Sequence, residues 1–365
     1  MLANEFSNFV WEGGMMNEAY ESLSDRKRQI LISSVEDYIR SALPITSNGV
    51  QQSICNDIST ATLRSELNAL EAMGYLKQLH TSSGRIPTSK AYRLYVDKIM
   101  HELTFKNNEL DLVKENFTNK ANNLGLLLEN IAKTISKVTN YPTVVIMEDL
   151  KKLIINDIKI IPLIDYSAHM LLSTTGGVIS NTFEISGDIT NEDCINCARL
   201  LSQEFTNKSL ADLIQDSDGI MKKQATSIER YKQIFDSVIE LLKNIAMPVH
   251  KGDTKLLNLP EYNSVEKAKA MLEILEDEEF LKKVISNQGE NMSFTIGREN
   301  NEESLQNCAV VKAPVKIGDI SVANIGVIGP ERIDYALVAG AINFVTNELK
   351  NIKQIETKGE NDVKK

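Results

Sequence analysis

The sequence predicts an α+β chain with a DNA-reading head near its N-terminal end and an interrupted mixed body behind it. Between residues 24 and 100, apolar residues recur at helical spacing in short blocks, followed by a hairpin carrying arginine and a basic helix. Beyond Pro142 come strands, then helices, then strands and helices together, the order of an α+β domain broken by an insertion.

Size and charge bound this reading. At 365 residues the chain exceeds one ordinary core, so two or three domains are expected. With 42% hydrophobic and 25% charged residues, it has the balance of a soluble globular protein. The densest apolar run, Tyr335 to Ile342, falls short of the ~20 residues that span a bilayer, so no membrane association is expected. The first 25 residues hold no Lys or Arg, which does not support a secretory signal. Cys55, Cys194, Cys197 and Cys308 have no framework spacing and fit a reducing cytoplasm. The net charge of −10 hides an asymmetry: residues 22–100 hold ten Lys/Arg against seven Asp/Glu, leaving the rest at about −13. Positive charge concentrated on a small segment is the footprint of a phosphate-binding face.

Residues 1–21 show no clear periodicity and read as an N-terminal extension, with Met15 and Met16 directly ahead of the first organised segment. Ser24 caps a helix through Arg40, with Leu31, Val35 and Ile39 as its inward stripe, and Pro44 stops it. Thr46 or Ser47 caps a short second helix with Val50 and Ile54 inward. Asn56–Ser59 is the turn, and Ser59 caps the third helix. There Leu63, Leu67 and Leu70 share one face, and Gly74 follows as a left-handed stop. The opposite face holds Ala61, Ser65 and Asn68, flanked by Thr62 and Arg64. Short, polar and basic side chains suit a major groove, which admits a helix whose outer face is not bulky. Arg64 can donate a bidentate pair to guanine, and Thr62 and Ser65 can contact bases or phosphates. Ser59 and Thr60 bring helix N-terminal N–H groups to phosphate. A three-helix core with a solvated face has the same helix pattern, so the next segment decides.

Residues 75–80 alternate as a short strand, 81–85 form a Gly-containing turn, and Ile86–Thr88 return, with Pro87 demanding an edge position. A two-stranded edge beside the third helix is the wing of a winged helix-turn-helix. Arg85 at its tip can enter a minor groove or pin a phosphate, and His80 lies where a phosphate could pass. Thr88 then caps a helix in which Lys90, a backbone contact, and Arg93 lie beside Tyr92 and Tyr95, two packing residues.

LSDRKRQIL, ALPITS, STATLRSELNALEAMGYL and HTSSGRIPTSKAYRLYVD resemble the heat-inducible transcription repressor HrcA family. The likeness continues through LSTTGGVISN, LPEY, MLEILEDEEFL, FTIGREN and GVIGPERIDYALVAGAINFV. Two positions depart from it. The family usually has Gly-Ser-Arg after its proline-valine pair, where this chain has Thr46, Ser47 and Asn48 behind Pro44-Ile45; one phosphate contact of about 1 kcal/mol is lost with the arginine. It usually has Arg-Asn in the reading helix, where Arg64 is followed by Ser65; a lost bidentate contact would relax discrimination by ~1–3 kcal/mol.

The body begins with a stripe of Leu110, Val113, Phe117, Ala121, Leu124, Leu128, Ile131, Ile135 and Val138, which predicts one long helix with a narrow seam, ended by Pro142. Strands follow at 143–147, 160–164 and 169–174, then 178–183, with Gly176-Gly177 as a two-residue hairpin. Helices return at 191–205 and 219–246, and 263–350 mixes helices with strands. The Lys/Glu-rich tail 351–365 reads as disordered. The resemblance implies a GAF-like domain, here 101–185 and 261–350, split by an inserted dimerising domain at 186–260 behind the winged-helix domain 22–100.

Other chemistry is thin. Cys194-x-x-Cys197 sits mid-helix with no second ligand pair and reads as small core residues. Gly326-x-x-Gly329 lacks a phosphate-loop pattern and reads as a strand-ending turn, with Pro330 opening a helix. No nucleophile–base pair stands out, so neither an enzyme nor a cofactor is expected. The resemblance implies a repressor binding double-stranded DNA as a homodimer at a CIRCE-type inverted repeat upstream of groE and dnaK operons, kept active by a GroE-type chaperonin. The alternative is a GAF-type small-molecule sensor.

Overall fold

The computed structural model describes residues 23–54, 58–78, 84–102, 113, 123–164, 166–215, 225–286 and 289–362. It is a mixed α+β fold. The head contains α1 (Asp25–Ser41), α2 (Ser47–Ile54) and α3 (Thr60–Ala72), then β1 (Leu76–Gln78), β2 (Arg85–Pro87) and α4 (Ser89–Glu102). Ser24 caps α1 by accepting the Lys27 N–H, and Thr46 caps α2 by accepting that of Gly49 at 3.1 Å. Leu63, Leu67 and Leu70 pack inward with Ile30, Leu31, Val35 and Val50. The buried face of α1 is wider than the expected stripe, taking in Ile30, Ile32 and Ser34, because α2, α3 and α4 all pack on it. Gly74 has φ +79, and with the Gly74 N–H on Glu71 O and the Tyr75 N–H on Leu70 O it closes α3 as a Schellman turn.

Thr88 stands at the start of α4, its carbonyl accepting the Ala91 and Tyr92 N–H groups. Its hydroxyl donates backward to Gly74 O at 2.8 Å and Tyr75 O at 3.1 Å, tying α4 to the end of α3.

The body is built on a five-stranded antiparallel sheet in the order β7-β3-β10-β9-β8, from Val249–Lys251, Thr143–Met147, Ile320–Pro330, Cys308–Ile317 and Ser293–Ile296. Side chains alternate across it. Val145, Val311, Ala313, Ile325 and Val327 face the helices α5 (Leu124–Thr139) and α11 (Tyr335–Asp362). Val144, Ile146, Val310 and Ile328 face α9 (Val265–Glu276) and α10 (Glu278–Ile285).

Several expectations shift. The helix before Pro142 starts at Leu124, because Asn123 has extended backbone and caps it through the Gly125 N–H. Of the upstream stripe, only the buried Val113 lies among the described residues. β4 (Ile155–Pro162), β5 (Ser167–Thr174) and β6 (Gly177–Glu184) form their own three-stranded sheet. Ile158, Ala168, Met170 and Leu172 are among its buried residues, and α6 (Asn191–Phe205) hydrogen-bonds to β4 through Ser202. The excursion from the five-stranded sheet therefore runs from after Met147 to before Val249, and the boundary expected at 186 falls inside it. Thr174 pairs with Gly177, so the hairpin loop is Thr175-Gly176 rather than Gly176-Gly177. Pro330 ends β10 and does not open a helix; Asp334 caps α11 through the Leu337 N–H at 3.0 Å. The tail expected to be disordered continues α11 to Asp362, since Lys and Glu extend a helix already nucleated by the buried Tyr335–Leu349 stretch.

Candidate nucleic-acid interface

The outer face of α3 follows from its inner one. With Leu63, Leu67 and Leu70 buried, 100° per residue turns Ala61, Arg64, Ser65 and Asn68 to solvent, and all four are exposed. Ser59 accepts the Thr62 N–H at 3.1 Å, and its hydroxyl pairs with the Thr62 hydroxyl at 2.9 Å. Ser59 and Thr60 are exposed at this helix start, while Thr62 lies on the flank, half-buried. Gln51 donates to Ile58 O at 2.9 Å, bracing the turn that sets α3 against α2. Lys27 pairs with Glu66 at 3.0 Å and holds the start of α1 to the same flank.

Four of the head's other arginines are ion-paired and Arg64 is not, a state it shares with Arg26 and Lys77 among the described residues. Arg28 pairs with Asp25, Arg40 with Asp37, Arg85 with Glu71, and Arg93 with Glu299. An exposed guanidinium on the same face as Ser65 and Asn68 keeps its donors for an incoming acceptor.

The strand pair lies against α3 with Gln78 opposite Arg85. Arg85 sits in the strand and not at the tip. Its backbone also bridges Ile45, N–H to O at 2.9 Å and O from N–H at 2.7 Å, so β2 is open at Pro87 but paired on both sides at Arg85. Its side chain, 13% exposed, donates to Glu71 at 2.8 Å and to Asn68. The guanidinium expected to enter a minor groove or pin a phosphate instead lies against α3, where Glu71 and Asn68, one turn apart, offer it oxygens. Lys90 is also engaged, donating to Met73 O at 3.0 Å with its ammonium over the Tyr75 ring. His80 lies outside the described residues.

A second cluster, absent from the residue-by-residue expectations, joins head to body. Ser89 donates to Glu331 at 2.8 Å, and Arg93 donates to Glu299 and to Phe294 O. Burial works against the Arg93 charge, but Glu299, helped by Asp97 and Tyr335, outweighs it and holds the guanidinium above its ordinary value. Arg332, nearly buried, clasps Glu261 with two donors and reaches Ile39 O on α1. Tyr92, Tyr95 and Phe294 pack around the fully buried Tyr335. The signal was present in the sequence: these residues come from SKAYRLYVD, LPEY, FTIGREN and GPERIDY, the segments that carry the family likeness. Among the described residues, no group of His, Cys, Asp or Glu could hold a metal ion, and no helix is long and apolar enough to cross a membrane.

Residues 126–338 match the family described as HrcA protein C terminal domain. The chain is 31% identical over 350 residues to the heat-inducible transcription repressor HrcA of Pelotomaculum thermopropionicum, covering 92% of this chain and 99% of that one. It is 31% identical to the same-named protein of Carboxydothermus hydrogenoformans, covering 90% and 98%. A crystal structure described only as a hypothetical protein shares the fold, with a TM-score of 0.73 at 21% identity over 90% of this chain and 98% of that one. With the match extending over more than half the chain, this protein belongs to the HrcA family.

Proposed function

We propose that this protein is a transcriptional repressor of heat-shock chaperone operons that binds an inverted-repeat operator of the CIRCE type as a homodimer. The head acts as a winged helix: α3 enters the major groove and the β1–β2 hairpin is the wing. The observation that carries this reading is the unpaired, exposed Arg64, set among the short side chains of Ala61, Ser65 and Asn68. Ser59, Thr60 and Thr62 serve the phosphates at the helix start, and Lys90 supports the fold beside the backbone path.

The five-stranded sheet with helices on both faces is the GAF-like domain. The excursion containing the three-stranded sheet is the inserted dimerising domain. One head reads one half-site, so a twofold dimer requires a palindromic operator and gains avidity from binding both halves. Family resemblance supplies the regulator, a GroE-type chaperonin that keeps the repressor active.

A gel-shift series tests the reading. Specific retardation of an inverted-repeat fragment, lost when either half-site is scrambled, supports it. Equal binding to scrambled DNA sinks it. Chaperonin addition during refolding is expected to raise the active fraction, and an unchanged fraction removes that partner.

A further inference from the structure

Arg85 is held more firmly than a residue meant to reach into a groove. Its backbone is hydrogen-bonded to Ile45, it pairs in register with Gln78, and its guanidinium is shared between Glu71 and Asn68. Guanidinium nitrogens only donate, so the Asn68 atom facing Arg85 is its oxygen. That places the Asn68 oxygen in service to the wing and leaves the two N–H donors as its outward end. Asn68 itself is exposed on the same face as Arg64 and Ser65.

We propose that Arg85 is a positioning residue that fixes the Asn68 amide so that it reads DNA as a donor. This rests on the reading of α3 as the groove-facing helix. A freely turning Asn pairs with adenine by giving one hydrogen bond to N7 and taking one from the N6 amino group. With its oxygen drawn toward Arg85, Asn68 instead matches an edge made of acceptors, which in the major groove is guanine N7 and O6. Glu71 completes the device: by taking the Arg85 Nε donor it orients the fork so that the Nη2 donor meets Asn68.

The experiment compares the full-length protein with Asn68→Ala, Arg85→Ala, Arg85→Lys and the Asn68→Ala/Arg85→Ala double variant. Each is titrated against an operator panel with every half-site position changed in turn, and against salt. Loss of sequence preference in the parent would overturn the groove reading itself, separately from this inference. Given a specific parent, Asn68→Ala is expected to lower discrimination at one guanine position by about tenfold. Arg85→Ala should lower it at the same position, and the double variant should be no worse than either. The salt slope should stay unchanged, since no phosphate contact is lost.

Arg85→Lys separates the alternatives and keeps the test open if Arg85→Ala fails to fold. Lysine keeps the charge but not the fork, so discrimination at that position should still fall. Full discrimination with Arg85→Lys, a salt slope lower by about one in Arg85→Ala, or additive losses in the double variant would overturn the proposal.

Discussion

Arg93 and Glu299, 206 residues apart, meet at the joint between head and body, the guanidinium Nε donating to the carboxylate at 2.8 Å. The pair is partly shielded and shares its site with Phe294 O and Asp97, so its removal strands polar groups that water reaches poorly. Arg93→Ala is expected to destabilise the protein by about 2 kcal/mol in denaturant unfolding. It should also weaken binding to a full inverted repeat more than to an isolated half-site, because only the full site depends on how the head is held. Equal losses on both fragments would argue against a role in head placement.

The neighbouring Glu331 gives the joint a pH dependence. Burial pushes its carboxyl above the ordinary value of 4.5, opposed by the Ser89 hydroxyl that donates to it. A carboxyl raised in the folded state holds a proton there that the unfolded chain has released. Its contribution to stability is therefore present below 4.5 and is lost as pH rises through the folded value. Glu331→Gln keeps an acceptor for Ser89 without the charge. The variant should flatten the fall of the denaturation midpoint just above 4.5, and identical profiles would exclude this group as the source.

Gly297 belongs to the same joint. It has φ +57, and a Cβ there would lie 2.4 Å from Ser89 Oγ and 2.8 Å from the Glu331 carboxylate. Gly297→Ala combines left-handed strain with displacement of the Ser89–Glu331 bond and should cost about 1–3 kcal/mol by thermal unfolding. A neutral result would mean that Ser89 turns away freely.

On the face proposed to read DNA, Arg64→Ala is expected to weaken cognate operator binding by ~1–3 kcal/mol while leaving affinity for unrelated DNA within a few fold. Uniform weakening on all sequences would reassign Arg64 to the phosphates.

The Cys194–Cys197 pair makes a different kind of forecast. Burial, with a smaller effect from Cys194, pushes the Cys197 thiol up to about 12, so at neutral pH it holds almost no thiolate. Alkylation mapped by peptide mass should leave Cys197 unmodified in the folded protein and label it on unfolding. Rapid labelling of native protein would contradict its place in the core of α6.

Much of the head was legible because its determinants are local. Ser24 and Ser59 cap the helices expected of them, and Gly74 takes the positive φ that ends α3. The apolar period alone turned Arg64, Ser65 and Asn68 outward. In the body, periodicity marked the strand at 143–147 but could not say which strands would pair. Residues 155–184 alternate as any half-buried strand does, so their separation into a second sheet is invisible until hydrogen-bond partners are seen.

Side-chain destinations were the other limit. Arg85 and Lys90 look alike on paper to any exposed cation, yet Glu71, Asn68 and the Met73 carbonyl claim them, and only the fold brings those oxygens within reach. The sequence by itself determined the first three helices of the head, their caps, the outward face of α3 and the segments that mark the family. The tertiary structure alone decided which charges are spent holding head to body and which, like Arg64, stay open. Hydrogen bonds and ion pairs depend on distances of a few ångströms between residues that can lie hundreds of positions apart, and no local pattern encodes those distances.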